Sequence, residues 1–410
     1  MLLNRLWVGF LLTAIVFGTG KSLLSGDAAP LAAMTDALFS SSRQAFEIAL
    51  GLTGTLAFWL GMLRIGEQSG MIGALTRALR PLLRRLMPAV PDGHPALNAV
   101  VMNLSANMLG LDNAATPLGI KAMQELQSLN PQPDTASDAQ ILFYVLNASS
   151  VTLFPLTILT FRAQMGAPYP ADVLVPILLA TFCSTFAGLL SVARMQGLRL
   201  ADPVALGYLL GIVLLLAGLV VLLFQQGQSG LQARSALVSQ VALLGLVAVF
   251  LTGALRTGVN AYESFLEGAK EGFTTAISIV PYLVAMLVAL ALLRASGLLE
   301  TLSAGLRQAA AYVALDGRFV DALPTALIKP FSGSGARAMM LDTMRSFGVD
   351  SFAARLAAVI QGSTETTFYV LAVYFGAVGI RNVRHAVGCA LLADGAGVLA
   401  AIFITYRFFG

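Results

Sequence analysis

The stretch Asn107-Met-Leu-Gly-Leu-Asp-Asn-Ala-Ala-Thr-Pro-Leu-Gly119 decides how this chain is read, because a second stretch, Lys329-Pro-Phe-Ser-Gly-Ser-Gly-Ala-Arg337, echoes it. Each is a polar, Gly- and Pro-bearing interruption in an otherwise apolar sequence. Lipid offers no hydrogen bonds to an unpaired backbone group, so irregular backbone persists at membrane depth only inside protein or beside water. Matching interruptions in two halves of a membrane protein point to a transporter-type binding site.

The sequence around these stretches is 57% hydrophobic and 11% charged, whereas a soluble domain carries about 25% charge. That balance predicts an all-α polytopic membrane protein. The alternating segments of an outer-membrane barrel are absent. The net charge of +4 comes from loop arginines, so it reads as membrane topology, with the lipid bilayer and not nucleic acid as the expected partner. Cys183 and Cys389 both fall in apolar runs and read as small buried hydrophobes. The run Leu6–Leu24 is long and lacks a cleavage signal before Lys21, so a retained first helix is expected.

Runs of about 20 apolar residues span a bilayer. Nine are expected: Leu6–Leu24, Ile48–Leu63, Ile141–Leu159, Val173–Ala193, Leu206–Phe224, Leu237–Leu255, Thr275–Leu293, Val359–Val378 and Ala386–Tyr406. Two more, Leu97–Met123 and Leu323–Met340, carry the interruptions and are expected as broken re-entrant hairpins.

The chain repeats itself. Ser69–Arg80 matches Ser296–Arg307 without a gap, and Lys121–Met123 matches Arg337–Met339. Asn147-Ala-Ser-Ser-Val-Thr-Leu-Phe154 matches Gln361-Gly-Ser-Thr-Glu-Thr-Thr-Phe368, and Cys183–Gly188 lines up with Leu392–Gly397. The first unit is expected within residues 1–200 (core 45–195) and the second within 201–410 (core 265–407). Arginines after Leu63 (Arg64, Arg77, Arg80, Arg84, Arg85) place that loop in the cytoplasm, while the corresponding loop after Leu293 is charge-balanced and reads as external. With re-entrant hairpins, five crossings separate the start of one unit from the start of the next, and an odd number inverts the second. The expected architecture is therefore two inverted gate-like repeats.

Glu365 is the one acidic residue between Asp350 and Asp394. A carboxylate in the membrane is a functional-site hypothesis by default. It suits a cation, a coupling proton, or an ion pair with Arg337 or Lys329. Its equivalent in the first unit is Val151, where Asn147, Ser149, Ser150 and Thr152 keep hydroxyl and amide character. Such groups bind a polar solute or join helices to each other. In Ser332-Gly-Ser-Gly335 the glycines free the backbone, and a helix restarting near Ala336 would favour an anionic group at its N-terminus. In the first unit Asp112, Asn113, Thr116 and Pro117 take that place, with Pro117 in the first turn and Thr116 or Asn113 as the cap. Asp394 stands opposite Thr185 as a second ion or proton site or as the partner of an arginine. His94 and His385 read as loop histidines, and no His/Cys/carboxylate spacing fits a metal.

These residues carry a resemblance. Asn107–Gly119 with Leu146–Leu153 resembles spore maturation protein A; Phe265–Phe273, Pro281–Met286, Lys329–Met340 and Gln361–Gly379 resemble spore maturation protein B. The match covers nearly the whole chain, with a junction near Ala201, so the chain is similar to a fusion of the two. The resemblance implies a nucleoside recognition or gate domain, passage of a small solute, a role in the cell envelope, and no catalytic residues.

The sequence reading is thus a bacterial inner-membrane transporter or permease, not an enzyme and without a bound cofactor, with H+ or Na+ as the coupling ion. A small polar solute would lie between the broken hairpins. Asn113, Thr116, Asn147, Ser149 and Ser150 would contact it from one side, and Ser332, Ser334, Arg337, Gln361, Thr364 and Glu365 from the other. Glu365 and Asp394 would be the coupling groups. The alternative is a non-transporting scaffold or assembly factor for envelope or spore maturation. Either would act as a homo-oligomer or with an envelope partner protein.

Overall fold

The computed structural model describes residues 2–110, 112–150, 152–198, 200, 202–224, 228–312 and 316–410, with side chains except at 2–6, 112–114, 224 and 228–233. In order the helices are α1 (Leu2–Ser25), α2 (Ala29–Gln68), α3 (Met71–Leu86), α4 (Pro95–Met108), α5 (Asp112–Gln127), α6 (Asp138–Ala148), α7 (Leu156–Gln164), α8 (Leu174–Gln196), α9 (Pro203–Phe224) and α10 (Gln228–Thr257). They continue as α11 (Ala261–Ala295), α12 (Leu298–Tyr312), α13 (Leu323–Ile328), α14 (Gly333–Phe347), α15 (Phe352–Ser363), α16 (Thr367–Gly376) and α17 (Ala386–Phe409).

Among the described residues, seven helices are long and apolar enough to cross a membrane: α1, α2, α8, α9, α10, α11 and α17. They correspond to seven of the nine expected spans. The other two are corrected. Ile141–Leu159 breaks between α6 and α7, and Val359–Val378 breaks between α15 and α16. Each half therefore holds a broken helix as well as a hairpin.

The order α2–α8 recurs as α11–α17: a long helix, an amphipathic connector, a hairpin, a broken helix and a closing helix. Local chemistry recurs too. Gly70 (φ 80°) and Gly297 (φ 83°) end the long helices in the left-handed region that only glycine adopts freely, and turn the chain into α3 and α12. Ser137 caps α6 in a reciprocal box with Gln140, and Ser351 caps α15 by accepting from the Ala354 N–H.

The two long helices form the spine. Gly61 lies against Phe265, Gly268 against Leu60 and Arg64, and Gly272 against Ala57. Partner numbers fall on α2 as they rise on α11, so the helices are antiparallel. Ser264 donates to Gln68 at one end (2.5 Å), and Ser41, Ala291 and Arg294 meet at the other. Helices α3 and α12 consequently leave the spine at opposite ends. The closing helices repeat this relation. A Cβ on Gly188 would touch Ala393 at 3.1 Å, and one on Gly397 would touch Ser184 at 3.1 Å. Residues 184 and 188 are the repeat equivalents of 393 and 397, so the two contacts are reciprocal, as a two-fold axis requires. The second unit is inverted relative to the first.

Three apolar clusters fill the interior. The largest runs from α1, α2 and α11 through α14 and α15 to the end of α17. A second packs α3, α4, α6 and α16. One expectation fails here: Cys389 is buried but Cys183 is exposed on α8, where a small thiol faces outward among apolar neighbours.

Candidate functional site

The breaks meet. The Glu365 N–H donates to the Ala148 carbonyl at the end of α6 (2.9 Å), and the Tyr144 hydroxyl donates to the Thr367 carbonyl (3.2 Å). The carbonyls orphaned where a helix stops need partners. The closing helix α8 supplies them: Thr181 Oγ1 donates to the Gly362 carbonyl (2.9 Å) and Thr185 Oγ1 to the Ser149 carbonyl (3.4 Å). Ser184 Oγ donates to the Ala393 carbonyl of α17 (3.0 Å). These hydroxyls lie midway along α8, so the junction sits near the middle of the membrane.

Each hairpin tip props its own break. The Met108 carbonyl accepts from the Leu153 N–H, and the Pro330 carbonyl from the Phe368 N–H, both at 2.9 Å. Phe331 stacks on Phe368 with centroids 5.0 Å apart. The hairpins themselves share no packed helix–helix interface among the described residues. Each reaches the other half through a broken helix: Gly119 of α5 abuts the Tyr374 hydroxyl of α16, and Arg337 of α14 lies over the Phe161 ring of α7 at 5.6 Å. The polar centre is thus the meeting of the two breaks, with the hairpins on its flanks.

Asn147 is 5% exposed and accepts on Oδ1 from Asn107 Nδ2 (2.7 Å) and Tyr374 Oη (3.1 Å). Ser149 and Ser150 are buried, and Ser150 has φ 56°. A non-glycine residue there carries strain, which collects at working sites. Thr364 is buried and extended against Gly397. Gln361 is buried with Oε1 unpartnered. Ser332 caps α14 through the Gly335 N–H (2.9 Å) and lies 3.3 Å from the Ser334 hydroxyl. Thr116 and Ser334 are half-buried; the Asn113 side chain and Val151 lie outside the described residues. Glu365 is half-buried and accepts from the Thr366 N–H (3.3 Å). An ion pair from Glu365 to Arg337 is not formed: the guanidinium sits over Phe161 instead. Two local expectations also shift. Helix α14 starts at Gly333, not near Ala336, and α5 starts at Asp112, which puts Pro117 in the second turn.

Asp394 is the most demanding group. It is 5% exposed, and its Oδ2 accepts from Thr367 Oγ1 at the start of α16 (2.6 Å). Its Oδ1 has no hydrogen-bond partner. An anion is favoured at a helix N-terminus, and Lys329, buried at the end of α13, is close enough to feel the carboxylate's charge.

Some residues have no local signature. Asn103 Nδ2 donates to the Ala115 carbonyl (2.7 Å) and to Tyr374 Oη (3.2 Å), which joins α4, α5, α6 and α16 through one amide–phenol network. The Asn103/Asn107 spacing of four on an apolar helix is the one sequence hint of it. Arg162, fully buried at the end of α7, pairs with Asp172 (2.9 Å) and Asp350 (3.0 Å), and Arg355 pairs with Asp172 (2.9 Å). At the other end of α8 an exposed pair, Arg384–Asp138 (2.7 Å), takes the equivalent place. His385 there is half-buried, not a plain loop histidine, and lies 3.2 Å from Gln196. Burial, with Arg384 alongside, lowers its pKa from the ordinary imidazole value. His94 caps α4 by accepting from the Ala96 N–H (3.2 Å).

Two inverted units whose broken helices meet near the membrane middle define a multi-pass membrane protein of gate-like architecture. Comparison with known proteins agrees. The chain belongs to the family described as Nucleoside recognition (Gate), which it matches at residues 49–165 and 276–381, more than half its length. It is 37% identical to spore maturation protein A of Bacillus subtilis (strain 168) over 183 residues, 45% of this chain and 90% of that protein. It is 46% identical to spore maturation protein B of the same organism over 171 residues, 41% of this chain and 94% of that protein. The chain therefore carries a fused A/B-like organisation.

Proposed function

We propose that this protein moves a small polar solute across the bacterial inner membrane at the junction of its two broken helices. The observation that carries the reading is the buried Asp394 carboxylate with one oxygen unpartnered; Gln361 Oε1 at the end of α15 is likewise buried and unpartnered. Burying an unsatisfied polar group is costly, and an ionisable one inside a membrane usually serves an ion or substrate path. In this reading Asp394 and Glu365 exchange H+ or Na+. Asn147, Ser149, Ser150, Ser332, Ser334, Gln361 and Thr364 meet the solute, with Arg337, Thr116 and Asn113 on the flanks. The present arrangement is then a closed state, and rocking of one unit against the other opens it. The family description makes nucleosides the first solutes to try.

A second reading, a membrane scaffold working with an envelope protein, is favoured by the dense packing of the junction. Two surface clefts of about 320 and 440 Å³ lie away from it.

Proteoliposome uptake of labelled uridine and adenosine, driven by a proton or sodium gradient, tests the proposal. Asp394→Asn should slow gradient-driven uptake at least about tenfold, equivalent to about 1.4 kcal/mol of barrier. Unchanged uptake in the variant removes Asp394 from the mechanism. No uptake of either nucleoside, with no ligand-induced rise in melting temperature, favours the scaffold.

A further inference from the structure

Helix α3 turns its leucines inward. Leu83 and Leu86 are buried, and Leu79 and Leu82 pack against the same cluster. Its outer face carries Arg77, Arg80, Arg84 and Arg85, all exposed. The equivalent positions of α12 are Ala304, Arg307, Ala311 and Tyr312, and Arg307 there is neutralised by Asp321. The basic face thus belongs to one unit only, at one end of the spine. Arg84 pairs with Asp92, and Arg85 with Asp202 at 3.7 Å. Among the described residues, no acidic group lies within ion-pair distance of Arg77 or Arg80.

The face opens into the cleft of about 440 Å³, lined by Arg80, Arg84, Arg85, Asp92, Leu97 and Val204. Val204 is in the first turn of α9. Only 6% of the apolar window of α9 is buried within the protein, so its flanks lie in lipid and its first turn marks the bilayer–water boundary. On the side of α9 that Val204 shares, Ile212, Leu215 and Leu222 continue from the cleft, each at least 40% exposed. Phosphate-sized basic clefts at this depth suit anionic headgroups.

We propose that this cleft is a specific site for an anionic phospholipid. Its phosphate sits between Arg80 and Arg84, which hold it by charge-assisted hydrogen bonds. Its acyl chains lie along the Ile212, Leu215 and Leu222 side of α9. The occupant is a lipid and not a soluble phosphate because the cleft floor continues into a surface that water does not wet.

The test compares thermal shift and native mass spectrometry of the full-length protein in neutral detergent with added phosphatidylglycerol, phosphatidylcholine or inorganic phosphate. Phosphatidylglycerol should remain bound and raise the melting temperature. Arg80→Gln with Arg84→Gln should weaken that binding about fivefold for each arginine removed, and Arg307→Gln on α12 should not. The single Arg80→Gln variant serves if the double variant does not fold. An equal response to phosphatidylcholine, or undiminished binding of phosphatidylglycerol by the arginine variants, overturns the proposal. A response to inorganic phosphate alone overturns the lipid assignment and identifies a soluble phosphate ligand.

Discussion

Arg162→Met is expected to destabilise the protein by about 3–5 kcal/mol, the usual cost of removing one partner from a buried ion pair. The guanidinium is 0% exposed and fully engaged. It contacts Asp172 and Asp350, and it donates to the Val349 carbonyl (3.0 Å) and the Pro170 carbonyl (3.2 Å). Methionine fills much of the volume but leaves Asp172, itself 5% exposed, with only Arg355 paired to it among the described residues. It also strands two carbonyls. The expected order follows. Arg162→Met should cost more than Arg384→Ala, whose pair with Asp138 is exposed at 39% and 49% and falls in the range of about 0–1 kcal/mol. Combining Arg162→Met with Asp172→Leu should recover part of the loss, because each single change penalises the partner left behind. Denaturant titration of the purified protein in detergent reads all of these. A loss below about 1 kcal/mol for Arg162→Met would show that the cluster does not fasten the two units.

Gly268→Leu should be nearly as damaging, at about 3 kcal/mol, the upper end of overpacking in a well-packed core. Small residues let membrane helices approach until their backbones touch, and α2 and α11 do so. A Cβ on Gly268 collides with the Leu60 carbonyl oxygen and lies 2.7 Å from Arg64 Cβ. One turn further on, a Cβ on Gly272 would lie 2.5 Å from Ala57 Cα and 2.6 Å from its nitrogen. Backbone atoms cannot swing aside as side chains do, so the spine must spread along its length. Gly54→Leu is the control: it lies on the facing helix α2 with nothing within 4 Å of its Cβ position. It should leave the melting temperature unchanged or raise it, since glycine is a poor helix former. Equal melting temperatures for both leucine variants would contradict the close approach of α2 and α11.

The repeat, the order of elements and seven of the nine spans were legible in sequence because hydropathy and small-residue patterns report membrane helices directly. The breaks in α6/α7 and α15/α16 were not. Residues such as Val151, Leu153 and Phe368 are apolar, and a hydropathy window cannot register a lost hydrogen bond. The polar character of Asn147–Ser150 and Gln361–Thr364 did mark the junction, and their equivalence in the repeat survives in space. The Arg162 cluster was illegible for a different reason. Its partners lie 10 and 188 residues away, and nothing near Arg162 announces them. Tyr374 joins Asn147 across 227 residues in the same way. Pairing of Glu365 with Arg337 looked plausible from charge alone, but the aromatic face of Phe161 was the nearer partner.

The antiparallel spine has a consequence for how this molecule tolerates change. Gly61 answers to Phe265, Gly188 to Ala393 and Gly397 to Ser184, each across the boundary between units. The molecule is organised like a dimer whose two subunits share one polypeptide. An enlarged side chain in one unit must be accommodated by a smaller one in the other. Duplicated as they are in sequence, the units are therefore bound to diverge as a pair, one becoming the mould of the other.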